Sequence, residues 1–181
     1  ECTACGTGKY LTGSGFTSSQ DCIECSAGKR HDLTGMTSAV ACEACEAGTF
    51  QPESGAAKCE LCSVGKYREE TGGVHESDCE TCGAGKYQTG TGQSNESACL
   101  LCPEGTYQVG VGKSGDSDCG KCEAGKYQTG LGMVLEAACL SCGPGKYQPD
   151  HGKTSESSCL ICGGGTYQSG DGMANSQACL L

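Results

Sequence analysis

The chain has 181 residues, of which 19 are cysteine, 31 are glycine and none is tryptophan, and its formal net charge is −10. So few large apolar side chains on so charged a chain exclude a self-supporting hydrophobic core, and cysteine at this density is typical of disulfide scaffolds in oxidising compartments. The acidity argues against nucleic acid as a partner, and no apolar run is long enough for direct membrane insertion. We therefore expect an extracellular or cell-surface location.

The cysteines repeat at a fixed period along the whole chain. They form nine C-x-x-C pairs and a final single Cys179. Successive pairs are 20 residues apart, except for one step of 17 residues between Cys42 and Cys59. Such a period predicts a repeat array in which each unit mainly contacts its neighbours. We predict one continuous array over residues 1–181, cut from a longer chain, with nine repeats that begin near residues 2, 22, 42, 59, 79, 99, 119, 139 and 159.

Two glycines in each repeat predict its local structure. Counted from the second cysteine of each pair as position zero, positions +3 and +10 are glycine in every repeat, and position +4 is Lys or Thr. This spacing predicts a turn near +3, a strand-like piece that carries an aromatic residue and Gln, and a second turn near +10. No stretch between glycines is long enough to nucleate a helix. The predicted fold class is small disulfide-rich repeats, with short antiparallel β-hairpins and irregular loops stacked into an elongated rod and little or no helix.

Position +5 is aromatic in eight repeats and is Arg30 in the second. Because the aromatic ring is the one large apolar side chain at a recurring position, we expect it to lie on a disulfide or on the backbone of the next repeat. The predicted packing ladder comprises Tyr10, Phe50, Tyr67, Tyr87, Tyr107, Tyr127, Tyr147 and Tyr167.

The C-x-x-C pairs are compatible with disulfides, zinc or redox-active thiols. The spacing C-x2-C-x16-C-x2-C falls within that of zinc ribbons. Against zinc, nine pairs do not divide evenly into four-thiolate sites, and His31, His75 and His151 occupy three different repeat positions. A thiol oxidoreductase needs a helix N-terminus and one privileged pair, whereas these pairs are nearly equivalent. The residues therefore favour a disulfide framework, with a zinc-binding array as an alternative.

Two disulfide connectivities fit the sequence. Bridges within each C-x-x-C pair would leave Cys179 unpaired, and bridges across the glycine-rich loop would leave Cys2 to pair with an upstream cysteine. The chain-entropy model gives roughly 3 kcal/mol for the longer loop and roughly 2 kcal/mol for the shorter one, and the longer loop avoids the tight geometry of a C-x-x-C bridge. We therefore favour the set Cys5–Cys22, Cys25–Cys42, Cys45–Cys59, Cys62–Cys79, Cys82–Cys99, Cys102–Cys119, Cys122–Cys139, Cys142–Cys159 and Cys162–Cys179.

The stretch CLLCPEGTY at residues 99–107, followed by Gly112 and Cys119, resembles the ephrin-receptor-like cysteine-rich repeat. The resemblance extends over the whole chain, unit by unit, and that repeat is related to the first module of tumour-necrosis-factor-receptor cysteine-rich domains. It implies extracellular placement, an elongated ladder of small hairpins, and a bridge from the cysteine before G-[KT]-Y to the next cysteine downstream. This is the same pairing that loop entropy favours.

Few residues offer other chemistry. Asn95-Glu96-Ser97 is an acceptor sequence for N-linked glycan in the loop before Cys99, so Asn95 is the candidate glycosylation site. No carboxylate or nucleophile recurs beside the three histidines, so we predict no catalytic residues, no metal, no cofactor and no enzymatic activity.

The near-identity of the repeats favours an extracellular structural protein, a disulfide-stabilised rod in a fibre, surface appendage or matrix. Its expected partners are other copies of itself or further repeats of the same chain in a filament, and glycans. The main alternative is a ligand-binding segment of a receptor ectodomain. Its best candidate site is the irregular stretch with Arg30, His31 and the third repeat, which has lost three residues between Gly55 and Cys59.

Overall fold

The computed structural model of the chain describes residues 4–14 and 18–181. The expectation that Cys2 pairs with an upstream cysteine lies outside the described residues, as does the turn glycine Gly15. In the described part, the first eight repeats have the same plan of a tight turn, a two-residue strand, a long loop and a second short strand. The predicted class of small disulfide-rich repeats with short antiparallel hairpins is confirmed.

Each hairpin pairs the residues at +4 and +5 with the two residues between the cysteines of the next pair. The disulfide that closes the loop brings these two segments together, which is why the strand partner lies in the next C-x-x-C pair rather than before the glycine at +10. The ninth repeat has a single antiparallel bridge between Tyr167 and Leu180. The strand pairs are Lys9–Tyr10 with Ile23–Glu24, Lys29–Arg30 with Glu43–Ala44, Thr49–Phe50 with Glu60–Leu61, Lys66–Tyr67 with Glu80–Thr81, Lys86–Tyr87 with Leu100–Leu101, Thr106–Tyr107 with Gly120–Lys121, Lys126–Tyr127 with Leu140–Ser141 and Lys146–Tyr147 with Leu160–Ile161.

The glycine at +3 forms the turn before the first strand. In the second repeat, Lys29 N–H donates to Ser26 O at 3.1 Å and Gly28 has φ 77°. A positive φ at the third residue of the turn is typical of a type II turn, and glycine adopts it without steric cost. The turn predicted near +3 is therefore present, and it leads directly into the strand.

A single turn of 3-10 helix precedes the cysteine that closes the loop in every repeat except the shortened third, a feature that the sequence did not predict. Ser, Asn or Asp side chains accept its first N–H groups, as Asn175 Oδ1 does from Gln177 N–H. No α-helix occurs in the described ranges, and none of these turns has the length and apolar character needed to cross a membrane. The turns are Ser19–Asp21, Ala39–Ala41, Glu76–Asp78, Glu96–Ala98, Asp116–Asp118, Glu136–Ala138, Glu156–Ser158 and Ser176–Ala178.

The repeats group into two compact units. The first comprises Glu1–Thr81 with Thr89–Ala98, and the second comprises Cys82–Gln88 with Cys99–Leu181. That all nine repeats form one continuous array stays a prediction. Inside each unit, successive repeats are joined in the same way, and this local rule rather than a central core defines the fold.

Three kinds of main-chain hydrogen bond join each repeat to the next. In the first unit, Gly28 N–H donates to Gln51 O at 2.8 Å, Gln51 N–H donates to Gly73 O at 2.9 Å, and Gly55 N–H donates to Cys25 O at 2.8 Å. The second unit has the same set, for example from Gly105 N–H to Gln128 O at 2.9 Å. The glycines at +3 and +10 are thus donors between repeats as well as turn residues.

The glycine at +3 also touches the repeat after the next one. A Cβ added to Gly28 would lie 2.7 Å from the carbonyl oxygen of Gly72, two repeats further on, and Gly125 meets Gly172 in the same way. The period alone predicts contacts mainly between neighbouring repeats. The structure adds this second contact, in which alternate repeats meet through bare backbone.

In five of the nine repeats, the third and the fifth to eighth, the interior combines a buried disulfide cysteine at position zero with a buried glutamine at +6. The cysteine at position zero is fully buried in repeats 3 to 8, and the glutamine at +6 is almost as buried, with Gln128 exposed by 2%. The aromatic residue at +5 is buried only as Phe50 and Tyr67; Tyr167 is 60% exposed and the others are half-buried. That the aromatic side chains stabilise the array as a packing ladder stays a prediction.

Candidate functional site

All eighteen cysteines in the described residues are in disulfides. The nine bridges run across the glycine-rich loops, and none lies within a C-x-x-C pair. Their Cα atoms are 5.5 to 5.9 Å apart, the usual separation for an unforced bridge. The pairs are those favoured from sequence, from Cys5–Cys22 to Cys162–Cys179, with the shortest loop in Cys45–Cys59. In residues 4–14 and 18–181, no group of three potential ligands is placed to hold a metal ion.

The glutamine at +6 is the residue that sequence reasoning missed. Gln128 Oε1 accepts from Gly105 N–H at 3.0 Å, and Gln108 Oε1 accepts from Gly85 N–H at the same distance. Each of these N–H groups also donates to the main-chain O of the same glutamine at 2.9 Å, so the side-chain oxygen is a second acceptor for a donor of the preceding repeat. The recurrence of glutamine directly after the aromatic residue was the signal available in the sequence. The first, second and fourth repeats carry Leu11, His31 and Arg68 there instead.

A row of ion pairs lies on the outside of the repeats. The lysine at +4 pairs with the glutamate that begins the 3-10 turn, at 2.7 Å between Lys146 Nζ and Glu156 Oε1 and at 3.2 Å between Lys66 Nζ and Glu76 Oε1. The lysine lowers the pKa of Glu156, and a hydrogen bond from Ser63, assisted by Lys66, lowers the pKa of Glu76. Pairs this exposed contribute little to stability.

Two further groups of the fourth repeat, besides Glu76, have shifted pKa values. Asp78 Oδ2 accepts from His75 N–H at 2.9 Å and from Val74 N–H at 2.8 Å, and these bonds lower the pKa of Asp78 below its ordinary value. Burial of Tyr67, followed by its hydrogen bond to Glu80 at 3.0 Å, raises the pKa of Tyr67 to about 12. Both groups hold a loop in place, since Asp78 caps the 3-10 turn and Tyr67 spans its hairpin.

The irregular stretch of the second and third repeats contains a cleft of about 270 Å³. Arg30 replaces the aromatic residue in its wall, and its Nη2 lies 3.4 Å from Glu43 Oε2 and 3.7 Å from Glu46 Oε1. The remaining wall comes from the shortened loop and the turn that faces it. The residues lining the cleft are Arg30, Asp32, Glu46, Thr49, Lys58 and Cys59.

His31 follows Arg30 but does not line the cleft. It is 7% exposed and its Nε2 has no hydrogen-bond partner. The sequence analysis placed Arg30, His31 and the short loop in one candidate site. The structure brings Arg30 and the short loop together and leaves His31 in the interior position that other repeats fill with glutamine.

Asn95 lies in an exposed loop, at the residue before a 3-10 turn. Its Oδ1 accepts from Ser97 N–H at 2.8 Å, so its side-chain nitrogen is not needed for the turn. Glycosylation at Asn95 stays a prediction.

These disulfide-closed hairpins can be compared with known families. Residues 33–79 match the family model described as tyrosine-protein kinase ephrin type A/B receptor-like. The resemblance to ephrin-receptor-like repeats is confirmed over that segment, which covers the irregular third repeat and most of its neighbours. The match indicates an extracellular receptor-type module, a non-catalytic kind of ectodomain. The relation to tumour-necrosis-factor-receptor modules stays a prediction. The chain matches none of the curated proteins with which it was compared.

Proposed function

We propose that the ephrin-receptor-like repeats of this protein form an extracellular structural segment, a disulfide-stapled rod within a fibre, surface appendage or matrix. One observation carries the proposal: the same hydrogen bonds join each repeat to the next inside both compact units. A stacking rule that does not change from step to step suits a spacer, because each repeat has the same task.

The joining surfaces of a repeat are also suited to extension. One side offers the N–H of the glycine at +3, and the other offers the carbonyl at +6 that accepts it, as in the bond from Gly145 N–H to Gln168 O at 2.8 Å. Any further repeat with the same glycines can continue this ladder. The expected partners are therefore further repeats of the same chain or other copies of it. The chain is not proposed to be an enzyme.

Small-angle scattering of the oxidised chain tests the rod. We would compare the nine-repeat protein with a variant that lacks residues 119–158, which are two whole repeats of the second unit. A rod loses length in proportion to repeats, so the maximum dimension should fall by about a fifth, whereas a compact globule of the same mass would shrink by only about a tenth. The compact result, or an unchanged dimension, would reject the rod.

A second candidate function is ligand binding by a receptor-type ectodomain. The observation that favours it is the concentration of irregular features at one place. Arg30 and the shortened loop depart from the other repeats, and both contribute to the wall of the same cleft. The family match at residues 33–79 covers most of this region. This function and the spacer are compatible, because the cleft is not lined by the glycines at +3 and +10 that join the repeats.

A further inference from the structure

The short loop that lines the cleft of the second and third repeats is fixed by a buried glutamine. Gln51 donates from Nε2 to Lys58 O at 2.7 Å and accepts at Oε1 from Glu53 N–H at 2.8 Å. The main chain of the loop is therefore tied to the interior at both ends. A loop fixed in this way keeps its backbone in position before any ligand arrives, which reduces the entropy lost on binding.

The charges of the cleft are of both signs. Arg30 and Lys58 supply two cations, and Asp32 and Glu46 supply two carboxylates. The hydroxyl of Thr49 donates to Glu46 O at 2.7 Å, so its oxygen remains an acceptor. Arg30 lies at 3.4 and 3.7 Å from its two glutamates, which is too long for a strong charge-assisted bond. Its donors can therefore be taken over by a closer carboxylate.

A ligand of one charge does not suit these walls. A pure anion would face Asp32 and Glu46 on a chain of net charge −10, and a pure cation would face Arg30 and Lys58. No aromatic residue lines the cleft, so it lacks the stacking surface on which flat rings bind. A molecule that carries one carboxylate and one ammonium group can pair with the cations and with the carboxylates of the wall.

We propose that this cleft binds a small zwitterion of the α-amino acid class, with its carboxylate on Arg30 and Lys58 and its ammonium group on Asp32 and Glu46. The proposal rests on the ligand-binding candidate and not on the structural rod. A cleft of about 270 Å³ has room for one such molecule.

The test uses the full chain with its disulfides intact, labelled with ¹⁵N and titrated with L-alanine. N-acetyl-L-alanine keeps only the carboxylate and L-alaninamide keeps only the ammonium group, so each serves as a matched half-ligand. We expect saturable shifts of the Thr49 and Lys58 amide signals by L-alanine, with a dissociation constant on the order of 1 mM. Each half-ligand should bind about tenfold more weakly or worse, because it forms only one of the two charged contacts.

Two variants locate the site. Arg30→Tyr installs the aromatic residue that seven other repeats carry as Tyr, so it should fold, and Asp32→Asn removes the opposite charge with little change of shape. Both should weaken L-alanine binding about tenfold or more. Lys146→Gln, which removes an exposed cation of the second unit, is the matched control and should bind as the wild type does.

Several outcomes would overturn the proposal. They are an absence of shifts in the wild-type chain, equal binding of either half-ligand, or unchanged affinity in Asp32→Asn and Arg30→Tyr. None of these results bears on the rod, which the scattering experiment tests separately.

Discussion

Glycine at position +3 meets two separate demands in this protein. It adopts a positive φ in the turn, and its bare Cα faces a carbonyl two repeats away, as Gly28 does with Gly72. Gly145 has nearly the same φ, 76° against 77°, but a Cβ added there would meet nothing within 4 Å. Substitutions at the two positions can therefore distinguish the cost of backbone strain, which both share, from the cost of the close contact, which only Gly28 makes.

We predict that Gly145→Ala destabilises the protein by about 1–2 kcal/mol, the cost of the left-handed region for a residue with a Cβ. Gly28→Ala should cost about 1–3 kcal/mol more, because the added methyl group overpacks against backbone that cannot move aside. Unfolding in guanidinium chloride, followed by tyrosine fluorescence, measures both. Equal losses for the two variants would show that the contact between alternate repeats contributes nothing.

Asp78 gives the fourth repeat an acid-sensitive cap. Its pKa is lowered in the folded state by the N–H groups of His75 and Val74, so its stabilising effect is complete above its ordinary value of 3.8 and is lost as the pH falls below that value. We predict that Asp78→Asn lowers the stability of the protein at neutral pH. The stability of this variant should also fall less steeply than that of the wild type as the pH is lowered. Thermal unfolding from pH 6 down to pH 2 measures this. Replacement of the exposed Asp171 by Asn is the control. If the unfolding temperature of Asp78→Asn falls as steeply with decreasing pH as that of the wild type, Asp78 does not stabilise the turn in this way.

Asn95 is predicted to carry an N-linked glycan when the chain passes through a eukaryotic secretory pathway. The side chain is exposed, and its nitrogen is free of the turn that its oxygen caps. Enzymatic removal of N-glycans should reduce the apparent mass of the wild-type protein and of Ser97→Thr, and should leave Ser97→Ala unchanged. A wild-type mass that does not respond would show that the sequence is not used.

At the scale of the element, the hairpins are too short to be stable alone. Each strand has two residues, and an isolated two-stranded hairpin is marginal even when longer. The disulfide compensates by closing the loop between the strands, and the bonds between repeats then align one hairpin on the next. The loop, its bridge and the neighbouring hairpin form one cooperative element.

We predict that replacing Cys102 and Cys119 by alanine costs about 3 kcal/mol, the chain-entropy value for a loop of this length. Their sequence separation is 17. Hydrogen exchange should rise first in residues 100–128, the hairpins that this bridge aligns. Ser114→Ala with Ser117→Ala, in the same loop, is the control. Unchanged protection after loss of the bridge would mean that stacking alone holds these hairpins.

At the scale of the whole molecule, we expect folding to depend more on an unbroken period of repeats than on the presence of any particular repeat. Deletion of residues 119–138 removes one whole repeat and leaves Cys102 opposite Cys139. We predict a folded protein with no more free thiols than the undeleted chain, because the bonds between repeats are the same at every step. Deletion of residues 124–133, which removes the glycines at +3 and +10 of the seventh repeat, should abolish protection in the surrounding repeats. Thiol titration and hydrogen exchange measure both, and equal tolerance of the two deletions would contradict a periodic stack.

Much of the architecture follows from spacing alone. Disulfides are covalent and glycine turns are local, so a period of 20 residues with glycine at +3 and +10 was enough to predict short hairpins and to favour bridges such as Cys5–Cys22. Arg30 and the shortened third loop were recognisable as departures from that period. Their meeting in one cleft required the structure.

The sequence by itself determined the repeat, the extracytosolic chemistry of its cysteines and the class of small cross-linked hairpins, because each is a property of one repeat or its composition. The tertiary structure alone decided the strand partner, the burial of the glutamine at +6 and the contact between alternate repeats. These depend on contacts between different repeats, such as that of Gly28 with Gly72, which no spacing within a single repeat contains.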